Sequence, residues 1–156
     1  MAVLEIVKAG NPVLKQKAAE IKKVDKKLRV LLDNMAETMY KADGVGLAAP
    51  QVGQSIRCVV MDVNDDNGLL ELINPVIVER EGTEVDSEGC LSVPNVFGDV
   101  ERSAKVVVEY TNRWNKRKRL AAGGLLARCI QHELDHLEGI LFIDVAKSLR
   151  SGDKKK

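Results

Sequence analysis

One segment near the C-terminal end most restricts how this chain of 156 residues can fold. After Gly123-Gly124 the sequence reads LLARCIQHELDHLEG, in which residues three or four apart share one face. That face carries Leu126, Cys129, Ile130, Glu133 and Leu137. The spacing predicts an amphipathic helix, which Gly139 closes as a C-terminal cap. The chain's only two histidines lie on this helix, so the fold has to supply partners for buried imidazoles.

The two histidines form the pattern His132-Glu-Leu-Asp-His136. On a helix, Cβ atoms four residues apart are separated by about 5–6 Å, so both imidazoles can reach one metal ion. Glu133, beside the first histidine, can then contact a water on the metal without being a ligand. An exposed polar face that happens to carry two histidines is the alternative. The apolar character of the helix favours the metal site.

A catalytic metal site needs a third protein ligand and one open position. A third histidine does not exist, and Phe142 occupies the position that supplies it in the extended H-E-x-x-H-x-x-G-x-x-H pattern. That group of metalloproteases is therefore excluded. Glu138 lies two residues after His136 and on a different face. A cysteine thiolate is the best remaining candidate.

The choice among the three cysteines favours Cys90, which lies in the constrained segment Glu88–Pro94. Cys129 shares the histidine face but is about 10.5 Å from His136 along the helix axis, which favours a role as a small residue lining the site. Burial alone accounts for Cys58, which lies among Ile, Val and Met. The residues by themselves favour Cys90 without deciding the matter.

The rest of the chain predicts an α+β domain. An N-terminal helix is expected from Asp25, its N-cap, to Lys41, because Leu28, Leu31, Leu32, Met35 and Met39 form one stripe. The predicted strands are Ile56–Val63, Leu69–Ile73, Val76–Glu79 with Pro75 at a strand start, Thr83–Val85, Cys90–Val93, Lys105–Thr111 and a short strand ending near Leu120. We expect these mixed or antiparallel strands to pack around a central metal-binding helix.

Composition limits the class of protein. The chain is 45% apolar and 30% charged with a net charge of +1, which gives no electrostatic case for nucleic acid as the main ligand. We expect one domain over residues 1–150 and a disordered basic tail at 151–156. Three cysteines are too sparse for a disulfide framework and indicate a reducing compartment. Signal-peptide and membrane-spanning patterns are lacking, which predicts a cytoplasmic protein.

Three further patterns have ordinary explanations. The segment Gly44–Ala49 satisfies a G-x-G-x-x-A dinucleotide fingerprint, but a helix precedes it and Pro50 interrupts the helix that should follow, so no nucleotide cofactor is expected. The run Lys116–Arg119 is typical of a solvated turn or edge strand, with salt-sensitive contact to ribosomal RNA as the alternative. From sequence alone, Glu88 and Arg102 are expected to be solvated charges.

Three blocks together resemble the signature motifs of the bacterial-type peptide deformylase family. They are GVGLAAPQVG (44–53), EGCLSVP (88–94) and QHELDH (131–136), in the same order and with similar separation. The resemblance spans nearly the whole chain. It implies a metal-dependent hydrolase that removes the formyl group from formyl-methionyl nascent peptides and releases formate. We also expect an extended peptide substrate and transient contact with the ribosome.

The resemblance also implies a role for each site residue. The metal ligands would be Cys90, His132 and His136, with Glu133 as general base and then general acid. Gln51, through its side-chain amide, and Leu91, through its backbone N–H, would bind the oxyanion. The remaining substrate contacts would come from Gly46, which allows close approach, and from Val45, Leu125 and Cys129, which line the methionine pocket. The ion would be Fe²⁺ in the cell, with Zn²⁺, Ni²⁺ or Co²⁺ as substitutes, and Glu88 and Arg102 would form a buried pair.

Two other functions are compatible with the same residues. One is a non-catalytic binding module stabilised by a metal on the same three ligands, which would show no hydrolysis when loaded with Fe²⁺. The other is a broader aminopeptidase-like hydrolase, which would cleave acetylated or unblocked peptides as well as formylated ones.

Overall fold

The computed structural model describes residues 2–151. Its helices are α1 (Lys26–Lys41), α2 (Gly124–Leu137) and the short α3 (Phe142–Val145), with 3₁₀ turns at Pro12–Lys15 and Ala49–Val52. Its strands are β1 (Gly46–Ala48), β2 (Cys58–Met61), β3 (Leu70–Glu81), β4 (Glu84–Cys90), β5 (Val93–Arg102), β6 (Lys105–Thr111), β7 (Arg117–Gly123) and β8 (Ser148–Ser151). They form a five-stranded sheet in the order β1-β2-β3-β6-β7 and a three-stranded sheet in the order β4-β5-β8. Neighbouring strands in both sheets are antiparallel, so the predicted α+β class is confirmed.

Helix α1 forms where the sequence predicts it. The Asp25 carboxylate accepts a hydrogen bond from the Leu28 N–H at 2.9 Å, which caps the first turn. The stripe then buries Leu28, Leu32, Met35 and Met39 against β1 and β2, with Leu31 half-buried beside them. The chain leaves the helix after Lys41, and the positive φ of Asp43 turns it towards β1.

Helix α2 lies against the five-stranded sheet. Its apolar residues Ala127, Ile130 and Leu137 join the main core together with residues of β2, β3, β6 and β7. Five polar residues of the same helix are also buried: Arg128, Gln131, His132, Glu133 and His136. An apolar setting for so many polar side chains requires hydrogen-bond partners from elsewhere in the fold.

Two strand predictions are wrong in detail. Pro75 does not start a strand but lies inside β3, at a bulge where the register with β6 shifts between Ile73 and Val76. A bulge leaves one residue unpaired, so the missing N–H of proline costs no ladder bond there. The segment Cys90–Val93 is not a separate strand: Cys90 ends β4, Val93 begins β5, and the two residues pair across the tight turn between them.

The ten-residue strand β5 and several short elements were also not predicted from the sequence. Strands β1 and β8 and helix α3 have only three or four residues each, too few to show a period in the sequence. Ser151, expected in a disordered tail, is the last residue of β8, and residues 152–156 lie outside the described part. In the described range of 2–151, no helix has the length and apolarity needed to cross a bilayer.

Gly139 closes α2 at a point where a side chain cannot be accommodated. Its φ is +77°, and an added Cβ would lie 2.5 Å from the Lys15 carbonyl oxygen. We expect Gly139→Ala to lower the free energy of unfolding by about 2–4 kcal/mol, because left-handed strain and overpacking of backbone add. Urea denaturation measures this loss. Gly68→Ala, at φ +62° with no atom within 4 Å of its Cβ, controls for strain alone, and an equal loss in both variants would contradict the clash.

Candidate active site

The two sheets and α2 bring one cysteine and both histidines together. Cys90 is the last residue of β4, and His132 and His136 project from α2. Their ligand atoms lie within 4.8 Å of one another, and Cys90 Sγ is 3.4 Å from His136 Nε2. Cys129 Sγ instead lies 3.6 Å from the Val45 carbonyl oxygen. The structure therefore places Cys90, the cysteine that the sequence favoured, next to the two histidines.

The donor set of one sulfur and two imidazoles fits a divalent transition metal. Thiolate and imidazole ligands are those that Zn²⁺ and Fe²⁺ accept, and three protein ligands leave one position open for chemistry. A metal requires the neutral form of histidine. Burial, together with the nearby His132 and Arg102, lowers the pKa of His136 well below its usual value and so favours that form.

A buried carboxylate holds the outer nitrogen of His132. Glu88 Oε1 lies 2.9 Å from His132 Nδ1, which leaves Nε2 of the ring for a metal. Arg102 donates to both Glu88 oxygens, from Nε at 2.9 Å and from Nη2 at 3.0 Å. Burial alone would raise the pKa of Glu88, but hydrogen bonds from His132 and Arg102 outweigh it and lower the pKa to about 2.

The prediction from sequence alone that Glu88 and Arg102 are solvated is therefore wrong. The buried pair that the family resemblance implies is present. The two residues are only 7% and 8% exposed. Arg102 also donates to Asp135 of α2 at 2.6 Å. Fourteen residues separate the pair along the chain, and only the pairing of β4 with β5 makes them neighbours.

Glu133 is buried beside the histidines. It is 3% exposed, and its Oε1 has no hydrogen-bond partner among residues 2–151. Burial raises the pKa of its carboxyl to about 7, in the range that suits proton transfer in both directions at neutral pH. A buried oxygen without a protein partner is available to a water or a substrate.

Gln51 and Leu91 approach Cys90 from two sides. Gln51 Oε1 accepts a hydrogen bond from the Ala48 N–H at 2.9 Å, which fixes the orientation of the amide. Its Nε2 then lies 3.1 Å from Ser92 Oγ and 3.5 Å from Cys90 Sγ. Leu91 follows Cys90 directly in the turn between β4 and β5.

One cleft of about 480 Å³ gathers nearly all of the predicted residues. Nine of the ten line it: Val45, Gly46, Gln51, Cys90, Leu91, Leu125, Cys129, His132 and Glu133. The tenth, His136, reaches it through its contact with Cys90. Val45 and Leu125 are 44% and 55% exposed, as is expected for apolar residues that line a ligand-binding cleft.

Several residues that line the cleft were not predicted from the sequence, and two of them, Phe97 and Arg128, have large side chains. Phe97 lies on β5, which the sequence did not predict as a strand. Arg128 is an arginine on the core-facing side of α2, and it contacts Glu88 at 2.7 Å. A charged residue among the buried positions of an apolar helix was the one signal that could have drawn attention to it.

Gly46 sits where any side chain would enter this site. An added Cβ would lie 2.5 Å from Glu133 Oε2 and 2.8 Å from Cys129 Sγ. We expect Gly46→Ala to displace the Glu133 carboxylate and to lower kcat/KM by roughly 100-fold, since misplacement by about 1 Å costs that much. Release of formate, the reaction product that the family resemblance implies, measures the effect. Gly123→Ala, whose Cβ would meet nothing closer than 3.8 Å, is the control, and equal activity of the two variants would contradict the expectation.

Comparison with known proteins agrees with this geometry. The family model described as "Polypeptide deformylase" matches residues 3–152. The peptide deformylase of Desulfitobacterium hafniense is 55% identical over 147 residues, which cover 94% of this chain and 97% of that protein. The peptide deformylase of Halothermothrix orenii is 54% identical, with 99% of both chains covered.

Solved structures show the same fold. The peptide deformylase of Thermotoga maritima superposes with a TM-score of 0.90 at 46% identity, covering 94% of this chain and 99% of the other. The enzyme of Synechococcus elongatus, in complex with actinonin, gives a TM-score of 0.89 at 46% identity and covers 93% and 79%. The chain therefore belongs to the peptide deformylase family of metallohydrolases, enzymes that remove the N-formyl group from nascent peptides.

Proposed function

We propose that Cys90, His132 and His136 hold one divalent metal ion, and that Glu133 works beside it in hydrolysing formyl-methionyl peptides. The observation that carries this proposal is the convergence of three ligand atoms within 4.8 Å of one another, next to a cleft that is lined by two of these residues and by the buried carboxylate of Glu133. We further propose Fe²⁺ as the ion in the cell, with Zn²⁺, Ni²⁺ or Co²⁺ able to replace it. An ion at this position supplies Lewis acidity, which polarises a carbonyl group and makes water more acidic.

Glu133 handles the proton. As general base it accepts a proton from the water that attacks the formyl carbon. As general acid it returns that proton to the peptide nitrogen when the C–N bond breaks, so formate and a free amine leave. Its burial on α2 supports this role, and so does its Oε1, for which no donor among residues 2–151 competes.

Gln51 and Leu91 stabilise the negative charge that develops on the formyl oxygen. The amide Nε2 of Gln51 points towards Cys90, and the backbone N–H of Leu91 belongs to the next residue of the chain. Donors fixed in advance act on the developing charge without reorganising, and removing one such donor typically costs about 2.7–4 kcal/mol of barrier.

The peptide is held by the wall of the cleft. Val45, Leu125 and Cys129 form an apolar surface suited to a methionine side chain, and Gly46 allows the peptide backbone to approach Glu133. We propose that the rest of the substrate lies extended along a strand edge. Backbone hydrogen bonds tolerate varied sequence beyond the methionine.

Substrate discrimination tests this function against the two alternatives. The Fe²⁺-loaded enzyme is expected to process formyl-Met-Ala-Ser while leaving acetyl-Met-Ala-Ser and unblocked Met-Ala-Ser intact. Cleavage of all three at similar rates would favour an aminopeptidase-like hydrolase. Absence of any hydrolysis in the loaded protein would favour a binding module.

We also propose cytoplasmic action by one catalytic domain, residues 1–150, in transient contact with the ribosome. The turn between β6 and β7 supports the contact, since it presents Trp114, 64% exposed, next to the cations of Lys116–Arg119. Replacing Lys116 and Lys118 with glutamate is expected to reduce co-sedimentation with ribosomes, as added salt should. Co-sedimentation that is indifferent to both would contradict the contact.

A further inference from the structure

Arg128 is a buried arginine that takes no part in the mechanism above. It lies on α2 one turn before His132 and is 7% exposed. Arginine is rarely buried without partners, and this one has three acceptors. Its Nη1 donates to Glu88 Oε2 at 2.7 Å and to the Val100 carbonyl at 2.9 Å, and its Nη2 donates to the Glu84 carbonyl at 3.0 Å.

These acceptors all belong to the β4–β5 hairpin. Glu84 begins β4, Glu88 lies two residues before Cys90 at its end, and Val100 lies opposite on β5. Helix α2 carries both histidines. The arginine side chain therefore joins the element that bears the sulfur ligand to the element that bears the two nitrogen ligands.

Arg128 also completes the charges around Glu88. The two Glu88 oxygens contact four nitrogens, of which Arg102 supplies two and His132 and Arg128 one each. Arg102 is shared with Asp135, so one guanidinium faces two carboxylates. With Arg128 the cluster has two positive and two negative side chains, which reduces the cost of burying them.

We infer that Arg128 is a positioning residue, which holds the Cys90 hairpin against the histidine helix and fixes Glu88 on His132, so that the site retains its metal. The inference rests on the proposed ligands Cys90, His132 and His136. Removing outer partners of metal ligands typically weakens metal binding about 10–100-fold.

Arg128 also lines the cleft, so its alternative role is direct contact with the substrate. Two variants distinguish positioning of the metal ligands from that role. Arg128→Met keeps the length of the side chain and its apolar stem but removes every donor. Arg128→Lys keeps one positive charge but cannot donate from two nitrogens in a fixed plane. Lys147→Met is the matched control, since it breaks an exposed ion pair with Glu101 of the same hairpin.

The experiment measures the rate at which each Zn²⁺-loaded protein releases its metal to excess chelator, after circular dichroism has confirmed folding. Arg128→Met is expected to release metal about 10–100-fold faster than the parent, with Arg128→Lys between them and Lys147→Met at the parent rate. The KM for formyl-Met-Ala-Ser at saturating metal is measured on the same proteins, because a change in KM without faster metal release would indicate direct contact of Arg128 with the substrate.

A parent-like release rate in Arg128→Met would overturn the inference. A raised KM with unchanged metal release would also overturn it, and would make Arg128 a wall of the substrate pocket. If Arg128→Met does not fold, a parent-like rate in Arg128→Lys decides against the inference in the same way. Metal release is read without turnover, so a parent protein that binds metal but releases no formate would contradict the proposed function alone.

Discussion

Glu133→Gln is expected to keep one metal ion per chain and to release formate about 10²–10⁴-fold more slowly than the parent enzyme. Glutamine has nearly the same shape but cannot take up the proton of the attacking water. Because glutamine is neutral, it adds no charge to the buried site, where Glu133 Oε1 has no hydrogen-bond partner among residues 2–151. Steady-state formate release measures the loss of turnover, and metal analysis of the same sample measures whether the ion is retained.

Glu101→Gln is the control for this variant, because Glu101 is an exposed carboxylate whose partner is Lys147. It should leave turnover and metal content at parent values. Turnover of Glu133→Gln within threefold of the parent, on the order of a single weak contact, would remove Glu133 from the proposed mechanism.

Cys90→Ala is expected to weaken metal binding strongly and to slow formate release with it. Metal sites with four ligands bind with about 10–16 kcal/mol, so losing one ligand should cost roughly 2.5–4 kcal/mol, or about 10²–10³-fold in Kd. Equilibrium competition with a chelator measures this Kd. Cys129→Ala is the matched variant, since its thiol contacts the Val45 carbonyl and lies outside the ligand cluster, and it should keep its metal. Equal Kd values for the two variants would exclude Cys90 as a ligand.

How much of this site the sequence could predict depends on the range of each interaction. The spacing of His132 and His136 is local, and helical geometry converts it directly into a shared face. The identity of the third ligand is not local, because Cys90 joins the histidines only through the folding of β4 onto α2. Sequence reasoning could narrow the choice to a cysteine, and the family resemblance named it, but the residues alone could not place it.

The charged residues around Glu88 could not be predicted from the sequence either, because they too are distant from it in the chain. Nothing near Glu88 in the chain indicates burial, and its partners Arg102 and Arg128 follow 14 and 40 residues later. Pairing of β4 with β5 brings in the first, and packing of the hairpin on α2 brings in the second. Pro75 is a smaller example, since the bulge that accommodates it depends on the register between β3 and β6.

The most direct test of the whole account is a titration of the metal-free protein with Fe²⁺ under anaerobic conditions, followed by the initial rate of formate release from formyl-Met-Ala-Ser. We predict a linear rise that stops at one equivalent of metal per chain, because one cluster of three ligands is proposed and Glu133 serves a single ion. A rate that is independent of added metal, or that keeps rising well beyond one equivalent, would contradict the account.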